Sequence, residues 1–246
     1  MHDKFHDSAG VPWEGREFSQ NNWSQDDGST PAVLAKVLDG DLDKAALVAA
    51  LAQCRLLIPL LAELGESGVG PHGQTVDKSA DLAIVAVSTP DGKTAIPAFS
   101  SVAEMSAWNA TARPVPVDMA KLAIAAVSEG HERVVLNPVG QAIGIRRPAL
   151  AALAQGLSWI PPHLNDLVME AVRLASGQIH QIKAVHAFDA DPTGQLLKPE
   201  LGLEITLAPG LSQQELQQVL TQFGAALQTQ EFLAMVDSFT IKVLAG

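Results

Sequence analysis

Short apolar runs of strand length alternate along this chain with segments of helical period, and turn residues punctuate the junctions between them. The clearest unit is "DLAIVAVSTPDGKTAIPAF", residues 81–99, where two β-rich runs flank Pro90-Asp91-Gly92. Proline pre-sets one turn dihedral, and aspartate can bond its own backbone. Glycine accepts a positive φ, so two strands joined by a turn are predicted. Upstream, "STPAVLAKVLDG" predicts a short helix with Ser29 or Thr30 as cap, Pro31 in its first turn and Gly40 as stop. "DLDKAALVAALAQ" predicts a second helix opened by Asp41, and "CRLLIPLLAEL" a buried strand. After the hairpin come a helix with a Ser101–Glu104 capping box, an extended "RPVPV", a helix from Asp118 to Gly130, a strand–turn–strand over 132–145, and a helix with Pro148 early and Gly156 as stop.

The two prolines of "LSWIPPH" mark a boundary. Beyond it the pattern reads helix, strand, strand, helix, strand. The last helix covers 212–230 and carries a Ser212–Glu215 capping box. Leu203, Ile205 and Leu207, and then Phe239, Ile241 and Val243, give the last two strands one apolar face each. The expected architecture is therefore α/β (α+β). It has a polar arm over 1–29 and a mixed-sheet domain with flanking helices over 30–160. A small αββαβ domain of ferredoxin-like order, with two helices on one sheet face, occupies 163–246.

Composition narrows the function classes. The 246 residues are 47% hydrophobic and 17% charged, enough to bury two cores. A net charge of −11 argues against nucleic-acid binding, which needs clustered Lys and Arg. No apolar run reaches the ~20 residues of a membrane helix, and the single cysteine fits a reducing compartment, so a cytoplasmic protein is expected.

Candidate chemistry is sparse. Gly68, Gly70 and Gly73 spell G-x-G-x-x-G, but the chain past Gly73 is a polar stretch and then a strand, whereas a dinucleotide loop needs a helix there. The run reads as a glycine-rich connection between strands. Cys54 reads as a buried, inert thiol. His2 and His6 with Asp3 and Asp7 lie at the extreme terminus, and His180 and His186 are roughly 20 Å apart on a strand. No metal site or cofactor is expected. Asp26-Asp27 and Asp189 with Asp191 read as solvated loop carboxylates. His131 reads as a solvated turn, and no G-x-S-x-G occurs. As partner or anion contacts there remain Arg113 beside Trp108, Arg146 and Arg147 ahead of a helix start, and Trp13 and Trp23 in the polar arm. Each arginine is also readable as an ordinary surface side chain.

The ordered phrases "CRLLIPLLAEL", "KSADLAIVAVSTPDGKTAIPAFSSVAEMSAWN" and "ARPVPVDMAKLAIAAVSEGHERVVLNPVGQAIGIRRPALAALAQGLSWIPP" resemble the N-terminal domain of the SseB family in its actinobacterial form. The leader "VPWEGREFSQNNWSQDDGSTPAVLAKVL" is similar to that family's, and the region after 163 is similar to its smaller C-terminal domain. The resemblance implies a family named for enhanced serine sensitivity, with no assigned catalytic residues. Together these readings lead to a non-enzymatic protein that binds a macromolecular partner, a protein or a second copy, and regulates amino-acid or sulfur metabolism. The alternatives are a small-molecule sensor of amino acids and an uncharacterised enzyme.

Overall fold

The computed structural model describes residues 23, 26–61, 68–69, 75–76 and 85–244. Helices α1 (Ala32–Leu38) and α2 (Lys44–Leu51) come first. Neither Ser29 nor Thr30 caps α1. Pro31 holds the cap position, and no side chain bonds there. Asp43, not Asp41, caps α2, its carboxylate accepting the Ala46 N–H at 3.0 Å. A cap sits directly before the first helical residue, two or three residues ahead of the amide it serves, and Asp41 lies too early.

Strand β1 (Arg55–Leu60) is followed by two short strands, β2 (Gly68–Val69) and β3 (Thr75–Val76), paired antiparallel. A strand therefore stands where a dinucleotide loop would open its helix. Within the glycine-rich connection Gly68 and Val69 pair with Val76 and Thr75; residues 70–74 lie outside the described residues. Of the predicted strand over 81–88, β4 (Val87–Ser88) is described. It turns at Gly92 (φ 79°) into β5 (Thr94–Ala98). Helix α3 (Val102–Trp108) begins where Ser101 Oγ accepts the Glu104 N–H at 3.1 Å. Strand β6 (Arg113–Asp118), helix α4 (Met119–Ser128), strands β7 (Arg133–Leu136) and β8 (Ile143–Arg146), and helix α5 (Arg147–Gln155) complete the first half.

The strands β4-β5-β7-β8 form one mixed sheet, with β5 and β7 parallel. The β1–β6 ladder joins it through paired backbone bonds between Leu57 and Phe99, at 2.8 and 2.9 Å. Its core gathers Leu34, Leu51, Leu56, Ile96, Leu122, Val134 and Leu150, all essentially inaccessible to solvent.

The second half has its own core. Helix α6 (Asp166–Gly177), strands β9 (Ile182–Asp189) and β10 (Leu201–Leu207), helices α7 (Gln213–Ala226) and α8 (Gln230–Met235), and strand β11 (Phe239–Leu244) form it. The helix expected over 212–230 ends at Ala226, and a further helix not expected from the sequence follows it. Chain direction changes after Ala226, and Thr229 caps α8 through the Phe232 N–H at 3.2 Å. Phe232 then packs edge-on against Phe239 at 5.7 Å. The order is αββααβ, and three helices, not two, supply the core. Leu201, Leu203 and Ile205 face Val168, Val172, Phe223 and Phe232.

The loop between β9 and β10 ties the halves together. Leu196, 2% exposed, reaches a small cluster with Ala95 and Val135 of the first sheet. It does so with a φ of 60°, a left-handed conformation that costs a β-carbon-bearing residue about 1–2 kcal/mol. Its side chain lies where a β-carbon on Gly144 would stand, only 2.3 Å from that position. The Gly144 N–H also donates to the Gly194 carbonyl at 2.8 Å. Gly144→Ala should therefore destabilise the protein by about 1–3 kcal/mol in urea unfolding. Leu196→Ala in the same chain should recover part of that loss; fully additive losses would contradict this packing.

Candidate functional site

Arg133 and Arg146 are directly opposite each other in the β7–β8 ladder. Both are buried, at 1% and 5% exposure. Two like charges in that position repel, and each loses its hydration. Asp237, between α8 and β11, resolves both problems. Its carboxylate accepts from Arg133 Nη1 at 2.8 Å and Nη2 at 2.7 Å, and from Arg146 Nη1 at 3.2 Å. The planar guanidinium fork suits this two-pronged bond. Asp91, from the turn between β4 and β5, holds the other side of Arg133 at 3.0 and 3.1 Å. Asp191 takes Arg146 Nη2 at 2.7 Å and also accepts the Leu196 N–H at 2.9 Å. The Lys198 carbonyl accepts a further bond from Arg146 at 2.6 Å. At the rim, Lys44 of α2 bonds Asp189 at 2.8 Å and the Asp191 carbonyl at 2.6 Å.

This geometry sets the electrostatics. Burial opposes the charge on Arg146, but the Asp191 hydrogen bond and the neighbouring carboxylates outweigh it and hold its pKa above the ordinary value. Burial likewise raises Asp91, yet hydrogen bonds from Thr89 and Arg133 outweigh it and hold its carboxyl below the ordinary value. Glu200 differs. It is 4% exposed, and burial, with the Asp237 carboxylate adding, pushes its pKa up to about 7. Cys54 is buried, and its thiol is pushed up to about 11, which fits the inert reading.

The residues singled out in the sequence do not converge. Trp13 lies outside the described residues. Trp23 sits in a turn whose carbonyl accepts the Asp26 N–H at 3.0 Å. Trp108 packs against Phe99 at 5.4 Å, beside Leu57 and Met105. Arg113 is exposed, opposite Leu60 in the β1–β6 ladder. Arg146 and Arg147 are not ordinary surface arginines: Arg146 belongs to the buried cluster, and Arg147 bonds the Leu233 carbonyl of α8. Three carboxylates expected in solvent are also paired. Asp26 bonds the buried Arg55, Asp189 bonds Lys44 and Asp191 bonds Arg146. Among the described residues no group of three His, Cys, Asp or Glu is placed to hold a metal ion. None of their helices is long and apolar enough to cross a membrane.

A second feature lies on the far unit. Its sheet runs β11-β10-β9, leaving the outer edge of β9 without a strand partner among the described residues. The Leu201 N–H donates toward β11, to Ser238, while the Ala190 N–H donates to the Glu200 carbonyl. Alternation in the ladder then points the amides of Gly202, Glu204 and Thr206 at β9, and those of Val185 and Ala187 outward at the open edge. Between that edge and α6 runs a groove of about 390 Å³ lined by Met169, Val172 and Val185, with Asp166, Glu170 and Arg173 at its polar side. Leu164, Leu167 and Leu174 stand exposed on the same segment, at 62%, 68% and 52%.

Fold and site together define an α/β protein with two hydrophobic cores locked by buried ion pairs. Residues 31–152 match the family model for the SseB protein N-terminal domain, which supports placing the chain in the SseB family. No curated protein and no solved structure matches the chain.

Arg146→Lys keeps the charge but cannot span Asp191, Asp237 and Lys198 at once. It should lower unfolding stability by roughly 2–4 kcal/mol in urea titrations. A loss below about half a kcal/mol would show that the fork geometry is dispensable.

Proposed function

We propose that the protein is a non-enzymatic binding module that takes up an extended segment of a partner protein by strand addition along β9. The observation that carries this is the unpaired β9 edge beside the α6 groove. Outward amides and carbonyls at Val185 and Ala187 offer main-chain bonds to an incoming strand. Met169, Val172 and Val185 offer apolar contacts to every second side chain of that strand. The groove also carries Asp166, and Glu170 paired with Arg173, and the chain as a whole carries −11, so a basic segment would be drawn toward it.

The wider setting is part of the same proposal. Residues 163–246 serve as an SseB C-terminal domain of ferredoxin-like order and actinobacterial type, and the arm over 1–29 precedes the N-terminal domain. The protein works in the cytoplasm as a regulator tied to serine or sulfur metabolism.

A linear-peptide display library selected on the full chain tests the site. The selected peptides should lose about tenfold or more in affinity for Ala187→Pro, because proline removes an outward amide. That substitution spares the β9–β10 bonds, so the melting temperature should hold. Peptides that bind Ala187→Pro as tightly as the parent, or a selection that yields none, would overturn the proposal.

A further inference from the structure

Glu200 stands apart from the other buried carboxylates of the joint. Its Oε2 accepts the Asp237 N–H at 2.8 Å, and its own N–H donates to Ser238 Oγ at 3.2 Å. Neither Arg146 nor Lys44 donates to it. Arg146 is committed to Asp191, Asp237, Ser238 and the Lys198 carbonyl, and Lys44 to Asp189 and the Asp191 carbonyl. Glu200 lines a small cavity between the halves, with free volume of 20 Å³, together with Lys44, Arg146 and Trp159. That is room for about one water molecule. Trp159 Nε1 is buried without a hydrogen-bond partner.

We propose that Glu200 is a proton-binding site that sets how firmly the second unit is held against the first. The neutral carboxyl fits the closed joint, and ionisation loosens it. The groups facing it explain the direction. Asp237 bonds it through the backbone and brings a second carboxylate close, and Asp191 brings a third onto the same arginine. Two arginines and Lys44 are shared among Asp91, Asp189, Asp191 and Asp237 before Glu200 is counted. An added charge on Glu200 would therefore lie buried with the Asp237 N–H as donor but no cation bonded to it.

Linkage gives the sign. Burial lifts the Glu200 pKa from 4.5 to about 7 in the closed state. The closed state therefore binds the proton more tightly than an open one does. Its stabilisation is complete below the unperturbed value and is lost as pH rises through 7.

The test is hydrogen exchange of residues 190–200 in the full chain between pH 6 and 8, corrected for intrinsic exchange rates. The closing constant should fall about tenfold over that interval. In Glu200→Gln, which keeps the acceptor for the Asp237 N–H, it should stay flat at the low-pH value. Identical profiles for the two proteins would overturn the proposal. If Glu200→Gln fails to fold, carboxyl ¹³C titration of the parent decides instead. One glutamate titrating near 7 supports the site, and all glutamates titrating near their ordinary values refutes it.

Discussion

One carboxylate shared by two buried arginines sets the architecture of this protein. Arg133 and Arg146 face each other across the β7–β8 ladder, where two cations with no counterion would force the strands apart or into water. Asp237 arrives from the other half of the chain, 1% exposed in its side chain, and satisfies both. The first sheet is thus incomplete without the second unit. The second unit in turn depends on the first, because the loop that carries Asp191 and Leu196 is shaped by what it docks against. The strained backbone at Leu196 persists because its side chain fills the space left by Gly144 and its amide is held by Asp191.

The buried joint and the open sheet edge lie on different parts of the fold. The joint consumes arginines, a lysine and carboxylates of the types a reactive site would need, and their hydrogen bonds run to one another. Among the described residues the three-stranded sheet of the second unit, by contrast, leaves an edge open on the side remote from β11. On the proposed reading, that edge and its groove are where a partner's strand would add.

Much of the fold was legible in local pattern. The 81–99 hairpin turn, the Ser101 and Ser212 caps and the left-handed stop at Gly156 each rest on chemistry within a few residues. The α7–α8 break was not, because a polar glutamine-rich run carries one helical period through Leu227, and the second start rests on the Thr229 cap together with the packing of Phe232. The joint was invisible for a different reason. Asp191 in "ADPTG" has the composition of a solvated turn, and Arg146 in "IRRPAL" that of a helix lead-in. Their pairing spans 45 positions, and that of Arg133 with Asp237 spans 104. No periodicity records such distances. The one available signal was the arginines themselves, each at the end of a strand of otherwise apolar residues, where an unpaired charge would be costly. The strand edge was equally hidden, since edge position depends on sheet order and not on the strand's own residues.

The most direct test of the joint is a double-mutant cycle between Arg133→Met and Asp237→Ala, read by urea unfolding. The coupling free energy should be about 2 kcal/mol or more, since each single change breaks the same buried two-pronged bond and that loss is counted only once in the double change. A coupling near zero would mean that the two halves are held by something other than this shared carboxylate.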